Sequence, residues 1–534
     1  MRAVAFLLLM FSSLAPLRSQ ENIPADWIEE TSRLKPDEQA KVLEAKLKQL
    51  NVLWGGMLRF KEADGKLVEL ACPGNGLSDI GPLAACKHLA KLDLSGTPPN
   101  SEGDKVRLKD LSPLEQMPLL VLDISHSHVA DLSSLKQAKL KELICTGTPL
   151  LNFRALKGMP IEKLICNSTP VESLAPLEGA PLAKVECRNT QIASLAPLRG
   201  APLKHLDAGG SKVADLKPLQ NCPLEYLSVE ATPVSDLTPL ANCPLTKLYV
   251  HQTKVSSLVP LAKCPLETLN ASLTQITSLK GLEAVPLRSL DIDMTQVKSL
   301  APLRALPLEH LSVVQTMVGD LTPLRGRPLT SLSVTSTPVT DLTPLRGMKL
   351  VRIQISQTNV KDLSPITGMP LLNVWMDRTK VTDLTPLQNT KLQFLQITNS
   401  PVTSLAPVKD AEFTHLDLTG TKVADLSPLK SMKVTGLTLS KSPVKSLAAL
   451  KDGQVKYLEL ADTAIKDFTP LKGHSLDYLG LGTKQSAVTD YTTLRAMTIR
   501  QLTCPIRNRT DIAALKQIKG LAIINGKNAQ ELIK

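Results

Sequence analysis

Pro244-Leu245-Thr246-Lys247-Leu248-Tyr249-Val250-His251-Gln252-Thr253-Lys254-Val255-Ser256-Ser257-Leu258-Val259-Pro260-Leu261 is the unit from which most of this chain is built. Leu248 and Val250 alternate with polar or amphipathic residues, the period of a short strand with one apolar face. Thr253 follows where the chain must turn, and its hydroxyl can bond backbone groups that no ladder reaches. Ser257, like Asp236, Asp341 and Asp383 in other copies, is placed to cap a helical turn. Pro260 fixes φ inside that turn, and Leu261 returns to the core. Pro244 and Pro265 each lead into a strand.

The unit recurs with one spacing. The hydroxyl of Thr253 has counterparts from Ser127 through Thr148 and Thr169 to Ser442 and Thr463, seventeen in all, each 21 residues after the last. Weaker copies stand at Asn75 and Thr97 and near Ser486 and Arg507, giving about 21 repeats. The step from Thr97 to Ser127 is 30 residues, so a charged nine-residue insertion, roughly Ser101 to Lys109, bulges there. One such coil cannot bury its apolar face, whereas stacked coils bury a continuous aliphatic column. Aromatics make up only 3% of the chain, which suits a core of stacked Leu and Val. Strands stacked at about 4.8 Å predict a parallel sheet on the order of 100 Å long.

The pattern L-x-x-L-x-L-x-x-T-x-V-x-D-L-x-P-L resembles the leucine-rich repeat in its short, internalin-like form, with Thr in place of the usual Asn. The resemblance covers about residues 67 to 525. It implies an α/β repeat solenoid: a curved horseshoe with a parallel β-sheet on the concave face and short helical or 3-10 turns on the convex face. It says little about function, because a fold does not carry one. The stretch from Trp27 to Gln39 is also similar to a segment preceding Thr-type repeats in planctomycete-like bacterial proteins, some of which carry a kinase domain. The kinase glycine-rich loop, H-R-D and D-F-G motifs are missing here, so the resemblance points to a bacterial repeat protein and not to a kinase.

The ends depart from the repeat. Met1-Arg2, the apolar run Ala3 to Phe11 and the small-residue exit Ser12 to Ser19 read as a secretory signal, residues 1–19. No later run is long and apolar enough to span a bilayer. Residues 20–66 read as a helical and hairpin cap, with helix starts at Pro24 and Pro36, Val42, Leu43, Leu47 and Leu50 at helical spacing, and Trp27 and Trp54 as cap core. The solenoid occupies 67–525, Leu521-Ala522-Ile523-Ile524 is the last strand, and 526–534 form a short polar tail.

No motif for hydrolysis, nucleotide binding or metal catalysis stands out, so the chain reads as a non-enzyme without a cofactor. Cys145, Cys166 and Cys187 share an inward register, and Cys222, Cys243 and Cys264 another; both fit packed free thiols, with Cys72 and Cys86 the best-placed pair for any disulfide. His126 and His128 near Asp123 have weak metal-like spacing and read as surface residues. Asn167, Asn270 and Asn508 sit in N-x-S/T sequons, which mean little in a bacterial protein. The net charge of +12, or +10 without Arg2 and Arg18, reads as solvated lysine, since no basic run is interleaved with aromatics and nucleic acid is not expected as a partner.

The residues six, four and two before each key hydroxyl point away from the core. Tyr and His are enriched there and, with single Trp, Phe and Arg residues, form two clusters: His205, Tyr226, Tyr249 and His251; then Arg352, Trp375, Asp377, Phe394 and His415. Interface hot spots favour these types. The leading expectation is a secreted, periplasmic or cell-surface protein that binds a partner protein through its concave face, with envelope association. A passive spacer, and an anion or carbohydrate binder using the Lys/His/Tyr half, are the alternatives.

Overall fold

The computed structural model describes residues 23–98, 106–483, 487–488 and 490–532. The predicted signal and most of the predicted insertion lie outside them. The chain forms two compact units, Met1–Pro233 and Val234–Lys534.

In the first unit, helices α1 (Ala25–Ser32) and α2 (Pro36–Leu50) precede an antiparallel hairpin, Arg59–Ala63 with Lys66–Ala71. Asp64 and Gly65 both take positive φ, 51° and 68°, and so close the hairpin tightly. Lys66–Ala71 then pairs in parallel with Lys91–Asp93, and six more one-step pairings carry the ladder to Tyr226–Ser228. The partners Leu92, Leu122, Leu143, Leu164, Val185, Leu206 and Leu227 form one aliphatic column without solvent exposure. Asn51, buried at the end of α2, ties helix to coil: its Oδ1 accepts from the Ser78 and Asp79 amides, each at 2.8 Å, and its Nδ2 donates to Leu47 O and Asp79 O. Trp54 is buried here; Trp27 is only half-buried.

The second unit repeats the ladder from Lys247–Tyr249 to Thr498–Thr503, with Leu248, Leu269, Leu290 and their successors as the column. The strands are three to six residues long, and most are followed across the coil by a 3-10 turn such as Val259–Leu261 or Thr343–Leu345, usually with Pro near its start. This is the leucine-rich-repeat solenoid in each unit: strands on one side, 3-10 turns on the other. One turn departs from the pattern. Between Thr268–Asn270 and Ser289–Asp291 no 3-10 helix forms: Gly281, at the proline position, takes φ of 100°, outside the helical range.

The key hydroxyls act as expected. Thr253 Oγ1 donates to Val250 O at 2.6 Å, and Thr295, Thr337, Thr358 and Thr421 make the same bond to the carbonyl three residues back. The residue before each takes positive φ, as Gln252 does at 57° and Arg378 at 52°, so the strand ends in a left-handed kink that the buried hydroxyl ties down. The capping carboxylates also appear: Asp236, Asp341 and Asp383 accept from the amide two residues on at 2.8 Å.

The end of the chain holds more structure than its sequence suggests. Helix α3 (Arg509–Leu515) starts at Asn508, whose Oδ1 accepts from Asp511 N at 2.9 Å. The tail adds an antiparallel strand, Lys527–Asn528, on Ile523–Ile524, and a helical turn α4 (Ala529–Leu532). The other sequon asparagines are engaged too: Asn167 Oδ1 accepts from Arg188 N, and Asn270 Oδ1 from Ser272 N.

All nine cysteines are buried thiols, Cys72 and Cys86 included. Burial pushes the thiols of Cys86 and Cys187 up to about 12 and that of Cys504 to about 11. Because the thiolate is the nucleophile, the native protein at pH 8 should leave a water-soluble disulfide reagent unreacted over minutes, and nine equivalents should react in denaturant. Prompt reaction of even one thiol in the native protein would show that a coil opens.

Candidate functional site

The outward side chains of the strands fall into three columns because parallel pairing is in register: His205 meets Tyr226, Asn373 meets Phe394, and Phe394 meets His415. The two units use this face differently.

In the first unit the face is a network of opposite charges. Lys163 reaches Glu142 at 3.0 Å and Lys184 reaches Glu186 at 2.8 Å. Arg188 bridges Asp207, at 3.2 Å, and Glu230, two coils away. Gly209 allows that span: a Cβ there would stand 2.8 Å from Glu230 Cγ and 3.0 Å from the Arg188 guanidinium. His205 stacks on Tyr226, with centroids 4.1 Å apart and planes 10° from parallel. Burial, and then Lys184, hold the imidazole below its usual range, so at neutral pH the pair is an uncharged plate. Lys163 and Lys184, two of the lysines on which an anion-binding role would rest, are thus already paired with carboxylates.

The second unit carries Tyr249 and His251, both half-buried at successive outward positions of one repeat. The first predicted cluster is therefore divided between the two units. The second cluster comes together within one unit and extends further than predicted. Arg352, exposed, lies 6.0 Å from the centroid of Trp375. Trp375 to Phe394 is 4.7 Å, Phe394 to His415 is 5.3 Å, His415 to Tyr457 is 6.4 Å, and Tyr457 to Tyr478 is 4.5 Å between centroids. The result is an unbroken aromatic ridge.

Gly436 makes the ridge continuous. It occupies the strand between His415 and Tyr457, and strands two steps apart lie about 9.6 Å from each other. The His415 ring leans across it toward Tyr457; a Cβ on Gly436 would sit 2.9 Å from His415 Nδ1. Gly480 does the same for Glu459, whose carboxylate occupies the place of the missing Cβ and accepts from Tyr478 Oη at 2.8 Å. Tyr478 and Gly480 escape a sequence reading anchored on the hydroxyls, since the 21-residue run ends at Thr463, and Gly436, inside the run, offers no side chain to notice. The parallel between Lys456-Tyr457-Leu458-Glu459-Leu460 and Asp477-Tyr478-Leu479-Gly480-Leu481 is the signal that locates Tyr478.

Asp377 stands beside the ridge. Its Oδ2 accepts from Ser356 Oγ at 3.0 Å and its Oδ1 from Thr398 N at 2.9 Å. Burial nevertheless raises its carboxyl above the ordinary range. Among the described residues no group of three His, Cys, Asp or Glu side chains could hold a metal ion, the His126 and His128 region included, and no helix is long and apolar enough to cross a membrane.

No protein-family model matches the chain, and no curated protein matches it. Solved structures do. An internalin, InlF, from Listeria monocytogenes is 22% identical over 62% of this chain and 88% of its own, with a TM-score of 0.45. The functional domain of InlJ from the same organism, described as including a cysteine ladder, is 19% identical over 70% of this chain and 75% of its own, TM-score 0.40. The mouse RP105/MD-1 complex is matched at 15% identity over 86% of each chain, TM-score 0.48.

Proposed function

We propose that this leucine-rich-repeat solenoid is a non-catalytic bacterial protein of the cell surface, periplasm or medium that binds a partner protein through the outward face of its strands. The observation that carries the reading is where the aromatic residues lie. Four of the five tyrosines, Tyr226, Tyr249, Tyr457 and Tyr478, occupy outward positions, and with Trp375 and Phe394 they face solvent. A solenoid used only as a spacer gains nothing from aromatics there, since its core is complete without them. Partly exposed aromatics in a row are what a protein interface buries at its centre.

The test is capture from the envelope and medium of the source organism, with wild-type chain beside a Tyr226→Ala, Tyr249→Ala, Trp375→Ala, Phe394→Ala variant. A protein retained by wild type and lost by the variant, with circular dichroism unchanged, is the expected result. Identical retention by both would leave the face without a role and favour the spacer.

A further inference from the structure

The ridge from Trp375 to Tyr478 has a chemical asymmetry that narrows its partner. Its six strands present eighteen outward positions, from Asn373 to Gly482, which hold three carboxylates, Asp377, Asp417 and Glu459, and neither lysine nor arginine. This is an acidic strip on a chain of net charge +12. In the first unit Glu142, Glu186, Asp207 and Glu230 are paired with Lys or Arg, whereas among the described residues none of these three makes an ion pair. Asp377 is held by Ser356 and Thr398, Asp417 by the Thr419 amide at 2.9 Å, and Glu459 by Tyr478 and the Ala461 amide. All three stand four or two residues before the turn, on one flank of the ridge.

The stacking of the rings favours one kind of ligand over two others. Phe394 with His415 and Tyr457 with Tyr478 lie within 21° and 12° of parallel, so much of each ring face is covered by its neighbour. Arg352 stands over the free end of Trp375. Sugar stacking and cation–π contact both need open ring faces. Stacked rings present a narrow apolar crest of edges, which packs against aliphatic side chains. The crest crosses five strand steps, about 24 Å at about 4.8 Å each. An α-helix rises about 5.4 Å per turn, close to that step, so a helix laid along the crest would set an apolar residue near each ring over about four turns.

We propose that this strip receives an amphipathic helix with aliphatic residues on the face toward the crest and Lys or Arg along the flank facing Asp377, Asp417 and Glu459. The proposal rests on the protein-binding reading above and specifies its partner. Gly436 is the positioning residue: it lets His415 close the crest.

The test uses the full chain and a 16-residue helical peptide with Leu on one face and Lys on one flank, labelled for fluorescence anisotropy. Its counterparts are the same peptide with Glu for Lys, and a neutral cello- or chito-oligosaccharide. The Lys peptide should bind, weaken with added salt, and lose at least about tenfold in affinity, equivalent to about 1.4 kcal/mol, in each of two variants: Trp375→Ala with Phe394→Ala, and Asp377→Asn with Asp417→Asn and Glu459→Gln. The second variant keeps side-chain shape and so guards against misfolding, and Gly436→Val should weaken binding in the same direction. Equal binding of the Glu peptide, no binding of the Lys peptide, or an oligosaccharide bound in its place and lost with the ridge would each overturn the proposal. If capture from the organism still depends on the ridge while neither peptide binds, the helix is wrong and the protein-binding reading stands.

Discussion

Leu332→Ala should lower the stability of the second unit by about 2–5 kcal/mol in equilibrium urea unfolding, the range for emptying a close-packed aliphatic site. Leu332 has no solvent exposure and sits between Leu311 and Ile353 in the inward column. The coil above and the coil below are held by backbone pairing in register, so neither can slide in to fill the gap. In a one-dimensional stack the lost methyls also weaken both coil–coil contacts, and the transition should broaden as cooperativity across the site fails. Ser331→Ala, next to it but outward, is the control and should change stability by less than about 0.5 kcal/mol. A loss at Leu332 below about 1 kcal/mol would mean that the column repacks.

Gly281→Ala should cost about 2–5 kcal/mol, although it adds one methyl group in a turn. The residue has φ of 100°, and a Cβ there would meet backbone only: Val259 Cα at 2.6 Å, Leu258 O at 2.8 Å and Val259 N at 3.0 Å. Nothing flexible can move aside. Gly347→Ala separates the two causes, because that glycine also has positive φ, 79°, with open space where its Cβ would go. It should lose only the left-handed backbone cost, about 1–2 kcal/mol. Equal losses at both positions, measured by thermal and urea unfolding, would show that the close approach to Val259 relaxes freely.

These positions show how far the chain could be read without coordinates. The solenoid is legible because a 21-residue period repeats the same strand, hydroxyl and proline at the same offsets, and pairing in register converts a linear period into columns. Trp375, Phe394 and His415 were identifiable as neighbours for that reason. Tyr478 was not, because the hydroxyl used as ruler is lost after Thr463 while the strand continues. Gly209, Gly436 and Gly480 were not, because a missing side chain at an outward position looks like a gap in the surface, whereas each is covered by a side chain from another coil. His205 and Tyr226 were grouped with Tyr249 and His251 on spacing alone, and spacing does not register a division between compact units. Helix α3 and the strand Lys527–Asn528 lie where the period has ended and only local signals such as Asn508 and Asn525-Gly526 remain.

The in-register ladder has one more consequence. From Lys247–Tyr249 to Lys433–Thr438 each strand meets the next at an offset of 21 residues. A genetic exchange between two copies of the coding sequence misaligned by one unit would therefore delete or duplicate a whole coil, and the strands on either side of the junction would still match. The reach of the protein is in this sense a heritable quantity that can change in steps between generations, while the residues of the crest, present once each, cannot be restored by copying a neighbour.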